Sequence, residues 1–540
     1  MTATSYDYVI VGAGSAGCVL ANRLSADKDV NVLVLEAGKR DTDPWIRIPF
    51  AWVKMVLERR NDWGYDTEPE PGLDGRIMEL VRGKVLGGCW SINAMAYVRG
   101  NAGDYDRWAR SGLSDWGYAK VLPYFKRSES WEGGADDYRG GNGPIRTISS
   151  SSSDPLHDAY REAAHAIGVP WTDDYNGRQN EGIGFAHHTI RGGRRESGVT
   201  AFLTPAAARP NLRVETSAHV TGIVFEKNRA VGVTFERDGA TQTVHAEREV
   251  ILSGGVINSP QLLMLSGIGP ADQLRKHGIA IRVDAPNVGE NLQDHISAGI
   301  FYKRTKPGPV HAELRADRAA INAARAYLFG TGPMTHFPNR YAAFVKSEAG
   351  QDIPDLQLLF NAGTFGAHLW FPGWAAPYQD SFGCRAAVLH PKSRGRIELA
   401  SADPKAKMRI RQNFFADPDD MKTLRRGLRL MREMMAKQPF DEFRGEELTS
   451  SKGAVSDDAL DAHARRTCST VHHPLGTCRM GADGMSVVDP ELRVRGVESL
   501  RVVDASAMPD LTGGNINAAV IMIAEKASDL ILGNRAPAGA

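Results

Sequence analysis

Two polar residues near the C-terminus, His473 and Asn515, are the side chains best suited to chemistry. A neutral imidazole with a pKa near ~6.5 can accept a proton at neutral pH, and hydride removal from an alcohol carbon requires such an acceptor. His473 precedes Pro474, so its backbone favours an extended conformation that can project the side chain into a cleft. Asn515 can donate a hydrogen bond without adding charge, or it can simply cap the last helix. Such a pair could provide a base and an assisting donor, and the neighbouring His472 is expected to be structural.

A glycine-rich turn near the N-terminus predicts a dinucleotide site. Gly12, Gly14 and Gly17 form the pattern G-x-G-x-x-G, and Glu36 follows about 20 residues later. The glycines allow a tight turn, a close approach to a pyrophosphate and close helix packing, while the acid binds ribose hydroxyls. An acid at this place disfavours a 2′-phosphate, so FAD or NAD is predicted rather than NADP. A purely structural turn is the alternative.

The elements that must position these residues indicate an α/β protein. Apolar runs at residues 7–11 and 32–35 flank the turn and a helical pattern through Leu24, which predicts a βαβ unit. Strand-like alternation follows over residues 212–249, and a buried strand over 249–253. The sequence Asn258-Ser259-Pro260 predicts a helix that begins at the proline.

The rest of the chain carries further helices and strands. Helical patterns occupy residues 318–327, 418–437 (with Asp417 as the cap) and 517–532, and strand-like segments occupy 384–389, 395–399 and 500–504. An aromatic cluster formed by Trp370, Phe371 and Trp374, near His368, is predicted either to wall a cleft or to belong to the core.

Composition narrows the class of protein. The 540 residues include 65 Lys and Arg against 64 Asp and Glu, which argues against nucleic-acid binding and a polybasic membrane anchor. The 56 glycines indicate many tight turns. Five scattered cysteines without a C-x-x-C pair suggest a reducing compartment. No signal-like N-terminus and no apolar run of ~18–20 residues is seen, so a cytoplasmic location without a membrane span is predicted.

Four longer blocks carry a family resemblance. Residues 82–96 read RGKVLGGCWSINAMA, 253–270 read SGGVINSPQLLMLSGIGP, 471–481 read VHHPLGTCRMG, and 503–517 contain VDAS and GNIN. In this order, together with the N-terminal glycine turn, they resemble the signatures of the glucose–methanol–choline (GMC) oxidoreductases. The resemblance extends from residue 6 to residue 532.

The resemblance implies a fold and a domain division. The fold class is α/β, α+β overall, with a Rossmann-type FAD-binding domain interleaved with a substrate domain of antiparallel sheet plus helices. The FAD-binding domain would comprise residues 1–160, 195–300 and 465–540, and the substrate domain residues 161–194 and 301–464.

The resemblance also implies an activity and a site, without a metal. FAD would oxidise a primary alcohol, with His473 as the catalytic histidine and Asn515 assisting, and oxygen or a quinone-like acceptor would reoxidise the flavin. The residues implied to contact FAD are Gly12, Gly14, Ser15, Ala16, Gly17, Glu36, Ala37, Gly83, Leu86, Gly88, Asn93, Ala94, Met95, Ala96, Val220, Asp504, Ala505, Asn515 and Asn517.

Two departures from the family pattern matter. Ile92 stands where some choline-oxidising members carry a histidine bonded to the flavin, so non-covalent FAD is predicted. Cys89-Trp90 replaces serines after the paired glycines, and a tryptophan next to the flavin-binding loop could alter the pocket shape. Three alternatives stay open: non-redox chemistry such as hydroxynitrile cleavage, flavin binding without turnover, and a nicotinamide enzyme. The nicotinamide enzyme is disfavoured, because the Asp504 and Asn515 blocks would have no role in it.

Overall fold

Two seven-stranded sheets, each with its own hydrophobic core, organise the computed structural model, which describes residues 5–364 and 366–537. The strands of the first sheet are, in spatial order, Leu212–Glu215, Val32–Leu35, Ser5–Val11, Ala240–Leu252, Arg229–Arg237 and His219–Glu226, with Leu500–Val502 also paired to Ala240–Leu252. The strands of the second sheet are Arg444–Glu447, Ile296–Arg304, Ser381–Val388, Leu356–Asn361, Tyr341–Val345 and Gly182–Phe185, with Ser469–Thr470 also paired to Ile296–Arg304.

The first sheet begins with the predicted βαβ unit. Ser5–Val11 and Val32–Leu35 pair in parallel, and the helix Ser15–Leu24 connects them. The segments buried at the sheet centre are continuous apolar runs, as expected for parallel strands covered on both faces. This part of the prediction is confirmed, and so is the terminal helix Asn517–Leu532, which packs against Ser15–Leu24.

The second sheet is antiparallel throughout its paired strands. The helix Pro418–Met435 packs against it, and the Asp417 side chain caps that helix by accepting from the Asp419 amide, as the sequence predicts. The mixed architecture therefore agrees with the α/β, α+β overall fold class.

The remaining elements are shorter or peripheral. The other helices are Pro44–Arg47, Trp52–Leu57, Ala102–Arg110, Tyr118–Ser128, Pro155–Ala166, Thr204–Ala206, Gly255–Leu265, Ala271–Lys276, Pro309–Glu313, Ala316–Phe329 and Asp457–Thr467. The other strands are Tyr65–Asp66, Glu79–Leu80, Glu129–Trp131, Ile145–Ser149, His187–Arg191, Arg194–Arg195, Ile268–Gly269, Val283–Asp284, Arg396–Glu398 and Arg409–Arg411.

One helix start differs from the sequence prediction. The helix begins at Gly255 and contains Pro260, so the prediction that Pro260 opens it is wrong. A proline inside a helix leaves the carbonyl four residues earlier without its amide donor. Here the Thr477 hydroxyl donates to the Val256 carbonyl at 2.6 Å and replaces that donor. A contact made by a residue more than 200 positions away cannot be read from the local pattern.

Two negative findings concern the described residues. None of their helices is both long and apolar enough to cross a bilayer. Nor do these residues contain a cluster of three or more His, Cys, Asp or Glu side chains arranged to hold a metal ion.

Candidate active site

A cavity of about 480 Å³ lies against both sheets. Its walls include Val11, Leu35 and Leu252, which are the last residues of neighbouring parallel strands in the first sheet. Gln357 and Arg385 contribute the wall from the second sheet. Ligands of open α/β sheets bind beyond the carboxyl ends of such strands, so this is where a dinucleotide would lie.

The glycine turn is shaped for close approach at the cavity wall. Gly12 has φ of +100°, a conformation that favours glycine. A Cβ on Gly17 would lie 1.9 Å from the Gly12 carbonyl oxygen, so the helix can pack onto the turn only with glycine there. By contrast, a Cβ on Gly14 would meet no protein atom within 4 Å. Gly14 lines the cavity, and its missing side chain leaves room for a ligand.

We therefore expect Gly14→Ala to weaken FAD binding without destabilising the apoprotein. The added methyl group meets open space in the protein but crowds the bound cofactor. Overpacking costs ~1–3 kcal/mol, so the FAD dissociation constant should rise about 5- to 150-fold. Thermal unfolding of apoprotein and an FAD titration measure the two effects separately. Gly17→Ala is the contrasting variant, because its Cβ collides with the backbone. A Gly14→Ala protein that binds FAD normally would contradict this placement.

Glu36 is buried and ties the turn to the second strand. Its carboxylate accepts the backbone amide protons of Ala13 and Gly38, each at 2.8 Å. Burial raises the pKa of Glu36, and the two amide hydrogen bonds oppose that rise. Each carboxylate oxygen has further lone pairs, and the Glu36 side chain lines the cavity. The carboxylate can therefore still accept hydrogen bonds from ribose hydroxyls.

Most residues predicted to contact FAD line this cavity, and three do not. Gly17 packs under the turn, Leu86 is part of the first core, and the Met95 carbonyl accepts from the Thr189 amide. The predicted residues that line the cavity are Gly12, Gly14, Ser15, Ala16, Glu36, Ala37, Gly83, Gly88, Asn93, Ala94, Ala96, Val220, Asp504, Ala505, Asn515 and Asn517.

Trp90 does not shape the pocket. It is completely buried, its ring centroid lies 6.3 Å from that of Phe202, and its indole N–H donates to the Thr189 hydroxyl. Its neighbours Cys89 and Ile92 do line the cavity. The expectation for Trp90 is therefore wrong, because the 3-10 turn Gly88–Ser91 directs its ring into the core.

The aromatic segment around Trp370 also differs from both predictions. Trp374 is 68% exposed and Phe371 is 39% exposed, and neither lines the cavity. The Trp370 indole N–H donates to the His311 carbonyl. Phe371 and Trp374 lie at the surface and Trp370 is half-buried, and Phe365 lies outside the described residues.

Asp504 connects two elements at the cavity wall. One carboxylate oxygen accepts from the Gly255 amide at 2.8 Å and the Ser259 hydroxyl at 2.5 Å, and the other accepts from the Ser506 amide and hydroxyl. These contacts fix the start of the helix Gly255–Leu265 against the C-terminal segment. The contact of Asp504 with FAD stays a prediction.

His473 and Asn515 lie side by side at the cavity, with Asn515 Nδ2 3.0 Å from His473 Nε2. The second ring nitrogen of His473, Nδ1, lies 2.9 Å from Nδ1 of His295. His295 Nε2 in turn lies 3.0 Å from the Leu389 carbonyl oxygen, and a carbonyl can only accept. His295 must therefore carry its proton on Nε2 and accept at Nδ1.

That assignment fixes the tautomer of His473. Because His295 Nδ1 accepts, His473 Nδ1 carries the proton, and His473 Nε2 keeps a lone pair directed towards Asn515. Burial holds the pKa of His473 well below its ordinary value, and positive charge on His295 and Arg82 would lower it further. The imidazole is therefore neutral at neutral pH, and its Nε2, which accepts from the Asn515 amide, carries no proton of its own.

Asp294 positions the backbone that carries His473. It accepts from the His473 amide at 2.8 Å and from the Thr470 hydroxyl at 2.5 Å. Burial raises the pKa of Asp294 to about 6. His472 takes the strained left-handed φ of +64°, and its carbonyl accepts from Arg82, which agrees with a structural role.

The sequence reasoning missed Asp294, His295, Gln357 and Arg385. An Asp–His pair directly before an apolar strand was a weak signal for the first two. Gln357 donates to Asn515 Oδ1 at 3.4 Å from the second sheet, and no local pattern predicts that contact.

Two helix N-termini at the cavity fit a dinucleotide with a flavin. The helices Ser15–Leu24 and Asn517–Leu532 both start there, and no side chain caps either one. Their free amide groups and partial positive charge suit a pyrophosphate and an electron-rich ring edge. Asn515 does not act as a cap, so the alternative reading of that residue is wrong.

The glycine turn, buried acid, uncapped helix ends and histidine–asparagine pair define a dinucleotide-dependent oxidoreductase, and comparison with known proteins gives the family. Two family models, both described as GMC oxidoreductase, match residues 6–297 and 391–524. The chain belongs to the GMC oxidoreductase family and is an FAD-dependent oxidoreductase acting on CH–OH donors.

Its relatives are similar along nearly their whole length. Oxygen-dependent choline dehydrogenase from Brucella ovis is 44% identical over 98% of this chain and 95% of its own. Mitochondrial choline dehydrogenase from Homo sapiens is 43% identical over 98% and 90%. Among solved structures, pyridoxine 4-oxidase from Mesorbium loti has a TM-score of 0.88 at 32% identity, covering 98% of this chain and 100% of that chain.

A further structural neighbour, an R554A variant of formate oxidase from Aspergillus oryzae, has a TM-score of 0.88 at 27% identity and covers 99% of both chains. That variant concerns the effect of the mutation on FAD modification. The fold and the FAD cofactor predicted from the sequence of this chain are therefore those of the GMC oxidoreductase family.

Proposed function

We propose that this chain oxidises a primary alcohol to an aldehyde, with His473 as the base and Asn515 as the assisting donor. The observation that carries the proposal is the chain of contacts from the Leu389 carbonyl through His295 to His473, which leaves His473 Nε2 unprotonated at the cavity. Bound FAD supplies the hydride acceptor.

The protein's own part in the reaction follows from these contacts. A substrate hydroxyl that enters between Asn515 and His473 gives its proton to His473 Nε2, while the Asn515 amide donates to the same oxygen. Gln357 holds the Asn515 carboxamide from the other side. His295 keeps the His473 ring oriented. Burial lowers the pKa of His295 to about 3, so His295 does not take the proton from the His473 imidazolium.

Residues from three parts of the chain would hold FAD. Glu36 and the glycine turn suit the adenosine ribose and pyrophosphate, and the segment from Gly83 to Ala96 with Asn517 suits the remainder. The two separate hydrophobic cores support the proposed division into an FAD-binding and a substrate domain. The cytoplasmic location stays a prediction, as does reoxidation by oxygen or a quinone-like acceptor.

We expect the FAD to be released intact when the protein is denatured with acid. Ile92 lines the cavity at the position where some family members carry a histidine bonded to the flavin. An aliphatic side chain cannot form that covalent bond. Absorption spectra of the supernatant and of the washed precipitate measure the partition. Flavin that remains with the precipitated polypeptide would show a covalent bond.

Sustained turnover with an artificial electron acceptor tests the proposed function. Reduction of a two-electron dye by an alcohol is expected, with one aldehyde formed per dye molecule reduced. Cleavage of a hydroxynitrile without dye reduction would favour the non-redox alternative, and a yellow protein inert towards every alcohol would favour binding without turnover.

A further inference from the structure

Arg385 is an enclosed cation on the wall of the catalytic cavity. It lies on the strand Ser381–Val388 at the centre of the second sheet. Its Nε and Nη2 donate to the Ser297 hydroxyl at 3.2 and 2.7 Å, and Nη2 also donates to the Ser297 carbonyl and the Ser469 hydroxyl. These serines fix the guanidinium in one orientation.

The neighbouring strand is shaped to admit this side chain. Arg385 pairs with Gly299, and a Cβ on Gly299 would lie 2.7 Å from the Arg385 Cγ. Glycine therefore allows the arginine stem to cross that strand and reach Ser297, two residues away. The position is built into the sheet and is not a surface side chain folded inward.

No acid neutralises the Arg385 charge. Within the described residues it forms no ion pair, its hydrogen-bond acceptors are all uncharged, and Nη1 has no hydrogen-bond partner. Burial lowers the pKa of Arg385, with the only opposing influence from Cys468. Arg385 is half-buried and lines the cavity, so an anionic ligand there can pair with a guanidinium that no protein carboxylate neutralises.

Arg385 lies near the proposed base. Its anchor Ser297 lies two residues after His295, which directly precedes the strand Ile296–Arg304, a separation of about 7 Å in extended chain, and His295 contacts His473. Its other anchor, Ser469, precedes His473 by four residues. An elongated small molecule can therefore place one end at His473 and the other at Arg385.

We propose that the alcohol oxidised here carries a carboxylate, which Arg385 binds while the hydroxyl lies at His473. The inference rests on the proposed function for the hydroxyl end and on the uncompensated guanidinium for the other. A quaternary ammonium alcohol such as choline is disfavoured, because its cation would face Arg385. The relatives named as choline dehydrogenases thus differ from this chain in substrate.

Ligand binding without turnover tests the arginine independently of the chemistry. Calorimetric titration of holoenzyme with butanoate and with butanamide, its neutral counterpart, should show binding of the carboxylate alone. In Arg385→Met the butanoate affinity should fall about 10- to 100-fold, since a charge-assisted hydrogen bond is lost. Arg110→Met, at an exposed arginine, is the matched control and should bind butanoate normally.

Turnover supplies the second readout. With ω-hydroxyalkanoates of increasing length, kcat/KM should pass through an optimum and exceed that for the matching diol and for choline. Arg385→Met should raise KM for the hydroxy acid at least tenfold and leave the diol within a few-fold, and Arg385→Lys should recover part of the loss. Flavin content and the thermal midpoint verify folding of each variant.

The outcomes separate this inference from the proposed function. Arginine-dependent butanoate binding in a protein that oxidises no alcohol would overturn the proposed function and the alcohol part of this inference, while retaining the carboxylate site. Equal binding of butanoate and butanamide by the wild type, or choline as the best substrate, would overturn the carboxylate assignment even if no Arg385 variant folds.

Discussion

The His473→Ala protein should retain its flavin and reduce it ~10²–10⁴ times more slowly than the wild type when mixed anaerobically with an active alcohol. That range is the usual contribution of a general base. FAD should stay bound, because the substitution changes neither the glycine turn nor Glu36. The alanine removes a neutral imidazole whose Nε2 lone pair is available at the cavity. Stopped-flow absorbance of the flavin measures the rate directly.

The matched control is His472→Asn. His472 has φ of +64°, a conformation that asparagine tolerates, and its backbone carbonyl makes the contact with Arg82. We expect a change of only a few-fold in the reduction rate. If His473→Ala reduces its flavin within a few-fold of the wild type, His473 is not the base.

The pH dependence of flavin reduction gives a further check on the same residue. The imidazolium cannot accept a proton, so the rate should fall as pH decreases through the pKa of His473. Because burial holds that pKa well below its ordinary value, the fall should begin below pH ~6.5. A decline centred at or above pH 6.5 would contradict a buried, neutral base.

Glu36→Ala should raise the FAD dissociation constant by roughly 10- to 150-fold and leave chemistry in the reconstituted enzyme nearly unchanged. Loss of a charged hydrogen-bond acceptor costs ~1.5–3 kcal/mol. The structure adds a second reason, since the carboxylate also accepts the Ala13 and Gly38 amides and so holds the turn in shape. Fluorescence titration of apoprotein with FAD measures the constant.

Glu215→Ala is the matched control for that variant. Glu215 ends the strand next to that of Glu36, yet its carboxylate pairs with Arg213 and Arg237 and does not line the cavity. Its loss should leave FAD affinity unchanged. Equal FAD affinity in the wild type and Glu36→Ala would reject the ribose assignment.

The parts of the fold that the sequence predicts are those with local causes. The βαβ unit follows from two apolar runs and three glycines, and the helix from Pro418 follows from its capping Asp417. The helix around Pro260 was predicted wrongly because its freed carbonyl is satisfied by Thr477, a contact between distant segments. Local rules contain no information about such a partner.

The residues of the candidate site likewise fall into those that local sequence predicts and those that depend on distant segments. His473 and Asn515 stand in sequence blocks with recognisable context, and the structure places their side chains 3.0 Å apart. His295 and Arg385 were not predicted, because their roles depend on the pairing of strands far apart in sequence. Only the register of the second sheet shows that Arg385 crosses Gly299 to reach Ser297.

Anaerobic titration of the holoenzyme with a primary alcohol tests the central claim most directly, because it requires neither a variant nor an electron acceptor. We expect an active alcohol, with ω-hydroxyalkanoates as the first series to examine, to bleach the flavin and yield one aldehyde per flavin reduced. Flavin that stays oxidised with every alcohol, in a protein whose flavin dithionite still reduces, would contradict it.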